Sequence, residues 1–471
     1  MKCKRNAEGY ITLFAAIVLA SVIALTSVLQ RSAEARVLQL AAATAATRQA
    51  EISLSLYDRT LYNSYGLHGT SLESINNDVL IRMLPQLDEE DLLVDPLDSV
   101  WVEANLDRGI RSFMQSHLAI SYFASLSARL SGFAEPLSNR QTENSMVSLS
   151  SLEDPGPGDA INMLTDEFYK HRGLFSEAVN YSSDEEEHGH TLAELALAGR
   201  QTDELNEFLQ GNPDLNPETM DSLGEAVSEL SDLLLLLQAP SEGVYGFLAL
   251  REYPLGMFRN QVSFSDEVAE LATGRGYNLR GVALSESEGE ERLETEEVIT
   301  GPADADMIKA AINWRITYIR LLFNLLGIVT NKARMQQFKN RATIISVVVT
   351  VVSLGNLSIP VSAIQAALVL AEAWRFSKND QKALVKGGQI ALLPYMKKSE
   401  IFQTIYEDYL RIFLLTVNKN DLLERTGKIV RDNLGNSNYV SGVKVSVSLE
   451  QQLGTGLITR EERFLAYEGI S

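Results

Sequence analysis

The sequence predicts a mainly α protein with a minor β component (α+β), in which a long N-terminal transmembrane helix continues into an extracytoplasmic helical domain. Three observations carry this. Residues 10–30 read YITLFAAIVLASVIALTSVLQ, 21 residues without a charge. No Gly or Pro stands between Gly9 and Gly66. Pro is scarce, 12 in 471 residues, while Leu and Ala abound, and this favours helix.

The apolar run matches the ~20 residues that cross a bilayer core. Lys2, Lys4 and Arg5 precede it, so the positive-inside rule keeps the N-terminus in the cytoplasm and sends residues 31–471 outward. A cleavable signal peptide is the rival, with a small-x-small site at Ala33-Glu34-Ala35. The apolar stretch is long for that reading, and helical sequence runs past the site. Residues 10–65 are expected to form one helix of ~84 Å at 1.5 Å per residue. Its outer half carries a stripe through Leu38, Ala42, Ala45, Ile52, Leu56 and Tyr62, which needs a cover.

A helix that starts as an anchor and ends as a packing element is the layout of type IV pilin-like proteins. Gly9 before an apolar helix resembles a prepilin-peptidase site, with Gly9 and Tyr10 flanking the cut. Phe14 stands at the fifth position after it, where processed pilins carry Glu. A retained anchor is therefore the favoured reading.

At this length a single compact core is too small a container. The expected division is a cytoplasmic basic segment at 1–9, the transmembrane helix at 10–30 and a helical spine at 31–66. An acidic extracytoplasmic α+β region follows at 67–302, then a helical domain at 303–471 with an apolar hairpin and a C-terminal strand. Charge follows the same border. Residues 1–302 hold 20 Lys and Arg against 48 Asp and Glu, whereas 303–471 hold 21 against 14. With a net charge of −21 the chain does not read as a nucleic-acid binder. Cys3 is the one cysteine, so no intramolecular disulfide forms and a structural zinc site is not expected.

Within the outer region, residues 97–106 (LDSVWVEANL) partly alternate as a strand would, and 107–133 read as an amphipathic helix. Residues 134–159 end in DPGPGD, a loop or boundary. Three helices are expected over 160–240, and the acidic stretch 283–297 reads as an exposed hairpin or flexible loop. From Asp304 helix dominates. Residues 342–374 form a second apolar region split by GNLSIP into arms of about 13 and 14 residues, each ~20 Å long and too short to span a bilayer. Basic residues flank both arms, against the positive-inside rule for an outer segment. The hairpin is therefore expected inside a soluble domain, with membrane insertion as the alternative. Residues 401–434 are expected to be helical, and residues 443–449 alternate cleanly as a strand.

The order of several segments resembles a known family: EGYITLF before the membrane helix, LYDRTLYNSYGLHG at its end, EEVITG before INWRITYIRLLFNLL, the apolar hairpin, and YEDYLRIFLL. It is a family of uncharacterised single-pass proteins of Gram-positive bacteria, labelled as a domain of unknown function. Its members look like relatives of pilus-assembly proteins of the tight-adherence (Tad) system, TadE- and TadG-like. The resemblance implies an envelope location and membership of such an apparatus, and it carries no catalytic residue.

The search for chemistry finds little. His188 and His190 beside Asp184, Glu185, Glu186 and Glu187 are the one cluster with metal-ligand chemistry, and a solvated acidic loop explains them as well. No hydrolase, phosphate-binding or dinucleotide motif occurs. Arg320 and Asn324, four apart on one apolar helix, point to a buried polar network. The expected function is a non-enzymatic structural or assembly component of a Tad-like pilus or secretion apparatus. Its partners would be membrane lipid and proteins of that complex, with no nucleic acid, cofactor, metal or small-molecule substrate. A stand-alone extracellular binding protein or adhesin is the alternative.

Overall fold

The computed structural model describes residues 4–85, 91–117, 157–180, 189–211, 242–262, 293–395, 403–435, 438–449 and 457–464. The chain divides into two units, Met1–Phe113 with Gly427–Ser471, and Met114–Thr426. This differs from the expected division at 302. The C-terminal strand returns to the N-terminal helix, a contact across the whole chain that local composition does not encode.

The first unit is built on α1, Lys4–Ser55, a single helix of 52 residues. It does not run on to Tyr65 as expected. The backbone breaks at Leu56–Asp58, where Tyr57 bridges Thr70. The chain re-enters helix as α2, Arg59–Tyr65. Asp58 supplies the signal: its carboxylate accepts from the Leu61 amide at 2.9 Å and caps α2. Gly66 closes α2 in the left-handed region at φ 66°, with the Phe113 ring where a Cβ would lie.

The N-terminal part of α1 is exposed over Thr12–Glu34, while the C-terminal part is a spine. Ala42, Ala45, Ala46 and Ala50 are buried together with Val443, Val445 and Val447. Those valines alternate along β6 (Gly442–Leu449), which lies between β2 (Leu92–Pro96) and β7 (Leu457–Phe464) in an antiparallel sheet. The period-2 pattern read at 443–449 is thus a strand with one face on the helix. Alanines let helix and sheet approach closely. The buried stripe includes Ala42 and Ala45 as expected, but Ile52 and Leu56 are exposed, and Gln49 and Ser53 replace them. Gln49 Oε1 accepts from the Val79 and Leu80 amides at 3.1 and 3.2 Å. It thereby caps α3 (Asp78–Met83) from another helix.

Residues 97–106 are not the expected strand. The strand is β2, just before them, and α4 begins at Glu103 and runs to His117. The continuation of that expected helix, 118–133, lies outside the described residues, as do 134–156.

The second unit is helical. Its helices are α5 (Pro157–Asn180), α6 (Gly189–Gln210), α7 (Glu242–Met257), α8 (Glu294–Thr300), α9 (Ala305–Val329), α10 (Lys332–Val352), α11 (Val361–Val385), α12 (Tyr406–Thr416) and α13 (Lys419–Asn433), the last shared with the first unit. Of the three helices expected over 160–240, α5 and α6 are present and 218–238 lies outside the described residues. Two short pairs add strand, β1 (Thr70–Ser71) with β5 (Tyr439–Val440) in the first unit and β3 (Ile390–Ala391) with β4 (Gln403–Thr404) in the second. The stretch 401–434 is thus not one helix: β4, α12 and α13 divide it.

α11 is the central helix of the second unit. Ala363, Ala366, Ala367, Val369, Leu370 and Ala373 on it are fully buried. Aromatic rings brace one side: Trp314 stacks on Phe208 and on Tyr318, each with centroids 5.2 Å apart. The apolar region 342–374 is a helical hairpin, α10 and α11, with its turn at the GNLSIP break. α11 is interior, but α10 keeps one apolar face in the open.

Candidate functional site

The most distinctive functional element is α1. Every described residue from Thr12 to Glu34 is exposed, including Leu13, Phe14, Ile17, Leu19, Ile23 and Leu29. The most apolar 18-residue window of Thr12–Ser55 has a mean hydropathy of 2.4. Among the described residues it is the one helix long and apolar enough to cross a membrane. Its few polar side chains are satisfied internally. Ser21, Thr26 and Ser27 hydroxyls donate to the carbonyls of Ile17, Val22 and Ile23 at 2.8 to 2.9 Å. In hydrocarbon, where no water is available, such back-bonding removes the cost of a bare hydroxyl. Gly9 and Tyr10 lie inside α1 rather than before it.

The structure brings Arg320 and Asn324 together. Both are 1% exposed, and Arg320 Nη2 donates to Asn324 Oδ1 at 3.1 Å. Three further elements complete the network. Asp380 Oδ2 on α11 accepts from Arg320 Nη2 at 2.7 Å and Nε at 3.0 Å, and from Asn324 Nδ2 at 3.0 Å. Arg320 Nη1 donates to the Leu392 carbonyl at 2.7 Å and to the Tyr409 hydroxyl at 3.1 Å. Burial pulls the Arg320 pKa down, but Tyr409 and Asp380 outweigh it and the value is raised. The guanidinium stays charged with its donors spent on fixed partners, so it fixes packing and offers nothing to a ligand.

A second buried network was not legible in the sequence. Arg411 on α12 pairs with Glu252 of α7 at 2.8 and 2.9 Å and with Asp408 at 3.0 Å, all three under 5% exposed. Asp408 also accepts from the Ile405 amide at 3.0 Å, closing the start of α12. Beside it, α8 overturns the reading of 283–297 as an exposed acidic segment. Glu294 and Glu296 are buried, and 283–292 lie outside the described residues. Glu294 accepts from the Arg259 amide at 3.0 Å. Glu296 Oε1 accepts from the Gln261 amide at 2.8 Å and from the Tyr406 hydroxyl at 2.9 Å. Its other oxygen, Oε2, is buried without a partner. Burial raises the Glu296 pKa from the usual 4.5 to about 7, and the neighbouring Glu294 pushes it the same way. Tyr406 is raised well above 10 by burial and by Glu296.

These carboxylates serve backbone amides and an arginine. A hydrolytic site would instead aim an acid, a base and a nucleophile at a shared cleft. The described histidines lie on separate elements. His68 is half-buried against Tyr57 and Tyr62, with its pKa lowered by burial. His117 ends α4, His171 lies beside Glu167, and His190 is exposed in the first turn of α6. His188 and Asp184 to Glu187 lie outside the described residues. Among the described residues no three His, Cys, Asp or Glu side chains gather as a metal ion would need.

The basic flanks of the hairpin are largely occupied. Arg334 pairs with Glu372 at 2.5 Å, Arg341 pairs with Glu194, and Lys378 pairs with Glu204 at 2.7 Å. The Lys378 contact holds the Glu204 carboxyl below its usual pKa. Comparison of the chain with protein-family models, with curated proteins and with solved structures finds no match.

Proposed function

We propose that the protein is a non-enzymatic, membrane-anchored component of the cell envelope, with its N-terminus in the cytoplasm and its bulk outside. Its role is structural, or that of an assembly factor, in a Tad-like pilus or secretion apparatus. One observation carries this reading: α1 is bare and apolar over Thr12–Leu29, then becomes the spine of a folded unit without a break. One rigid rod therefore links lipid to the outer mass, which is what a subunit transmitting or resisting force at a membrane requires. Lys4 and Arg5 before the apolar run support the orientation through the positive-inside rule. The two polar networks support a structural role, because their charged groups are spent on holding helices.

Deleting the gene and imaging surface filaments tests the assignment. Loss or marked shortening of filaments, restored by the full chain, is the expected outcome. Unchanged piliation with reduced binding of cells to a surface favours the stand-alone adhesin instead.

A further inference from the structure

The residues that follow α7, 258–262, are held by side chains rather than by a helix or strand of their own. Glu294 and Glu296, two apart on α8, grip amides two apart in that segment. Glu294 Oε2 accepts from the Arg259 amide at 3.0 Å, and Glu296 Oε1 accepts from the Gln261 amide at 2.8 Å. Between them the Thr295 amide donates to the Arg259 carbonyl at 3.0 Å. The Thr295 hydroxyl donates to the Pro254 carbonyl near the end of α7 at 3.3 Å. α12 closes the third side, where the Tyr406 hydroxyl donates to Glu296 Oε1 at 2.9 Å. Glu296 thus ties the segment, α8 and α12 together through one oxygen.

Its other oxygen decides the state of the tie. Glu296 is 1% exposed, and Oε2 meets no donor among the described residues. A neutral carboxyl keeps both bonds to its carbonyl oxygen, Oε1, and leaves one hydroxyl unmet. An anion leaves charge on a buried atom, which costs far more. The charged groups on the elements packed around α8 are engaged elsewhere or lie apart. On α7, Arg251 donates to the Val417 carbonyl and Glu252 is paired with Arg411. α12 also carries Glu407 and Asp408, and Asp408 shares that same Arg411. Arg425 of α13 donates to the Val298 and Ile299 carbonyls, further along α8. On α9, Arg320 is bound to Asp380, and Asp306, Lys309 and Arg315 complete its charges. Among the described residues, the neighbouring charge that acts on Glu296 is that of Glu294, of the same sign.

We propose that Glu296 is a proton-operated clasp in the second unit: with its proton it locks residues 259–262 against α8 and α12, and without it that segment detaches. Burial, then the Glu294 charge, hold the closed carboxyl at a pKa of about 7. Opening gives it water and returns it to the usual 4.5. Between about pH 4.5 and 7 the open form therefore sheds a proton that the closed form keeps, and the open population rises with pH. The clasp tightens in acid and loosens towards neutrality, the reverse of a carboxylate held by an ion pair. It lies wholly within the second unit and stands apart from the anchor reading.

Hydrogen exchange on the full chain in detergent micelles tests this, with rates corrected for the intrinsic pH dependence of amide exchange. Between about pH 5.5 and 7.5 the amides of Arg259, Gln261 and Thr295 are expected to lose roughly tenfold or more of their protection. Low, non-denaturing urea should leave that exchange unchanged, the mark of a local opening. Glu296→Gln keeps an oxygen for the Gln261 amide and the Tyr406 hydroxyl but has no proton to lose, so its protection should stay constant over the range. The wild-type chain is read against itself at two pH values, so the test holds even if the variant does not fold. Constant protection in the wild-type chain overturns the proposal. So does a loss that Glu296→Gln repeats. A loss with the same urea dependence as the α11 amides at 363–373 also overturns it, because the whole unit then unfolds together.

Discussion

The chain contains two long apolar regions, Thr12–Leu29 and 342–371, and they meet opposite fates. In the first, every side chain is bare along an unbroken helix. In the second, a turn at residues 353–360 folds two arms together, and Ala366, Ala367 and Leu370 are buried by the unit's own helices. Apolar content alone does not separate them. What separates them is continuity: an uninterrupted 52-residue helix can cross a bilayer and continue, whereas arms broken by Gly355 and Pro360 must pair. Small residues pack the continuation of α1, as Ala42 to Ala50 on the sheet, and the second region, as the alanines of α11 in the bundle.

The largest effects come from exchanging the fates of the two regions. Leu19→Arg with Ile23→Arg in α1 is expected to cost about 5–7 kcal/mol of membrane insertion, at roughly 2.5–3.5 for each arginine near a helix centre. Cell fractionation would then find the chain outside the membrane with its outer units folded. Leu370→Arg buries an unpaired charge and is expected to cost more than about 4 kcal/mol of folding in the second unit, with membrane retention unchanged. If Leu370→Arg instead released the chain from membranes, the contrast between the regions would fail.

Smaller substitutions sharpen it. Arg320→Ala leaves Asp380, Asn324 and the Leu392 carbonyl without their donor, and about 3–5 kcal/mol of the second unit's stability should be lost. Urea unfolding followed by Trp314 and Trp374, in a Trp101→Phe background, reads this out. The same assay reads Glu296. Between about pH 4.5 and 7 the unfolded chain releases this proton while the folded chain keeps it, so stability falls as pH rises. The loss amounts to about 3 kcal/mol and is complete above pH 7. Glu296→Gln should flatten that slope. In the first unit, Asp58→Ala should cost about 1 kcal/mol through the lost cap of α2. Local hydrogen exchange at Leu61 checks it.

Legibility in the sequence followed the range of the contacts. The long apolar helix, the hairpin and the strand at 443–449 rest on local pattern, and each stands where its pattern lies. Arg320 and Asn324 share a helix face, so half of their network was readable; Asp380, 60 and 56 residues away, was not. The acidic run ending at Glu297 looked solvated because its partners, Arg259, Gln261 and Tyr406, are distant in sequence. The division of the chain was misjudged for the same reason, since β6 pairs with β2 and packs on α1 across almost the whole length. The break at Asp58 is the exception. An N-cap residue stood in plain view, and the absence of Gly and Pro masked it.

The central claim is that one helix serves as anchor and spine in the mature protein. Alkaline extraction of membranes followed by mass spectrometry of the retained chain tests it directly. The expected result is a protein that stays in the membrane pellet with residues 10–30 still joined to the spine. A chain released into the supernatant, or one beginning after Ala35, would contradict it.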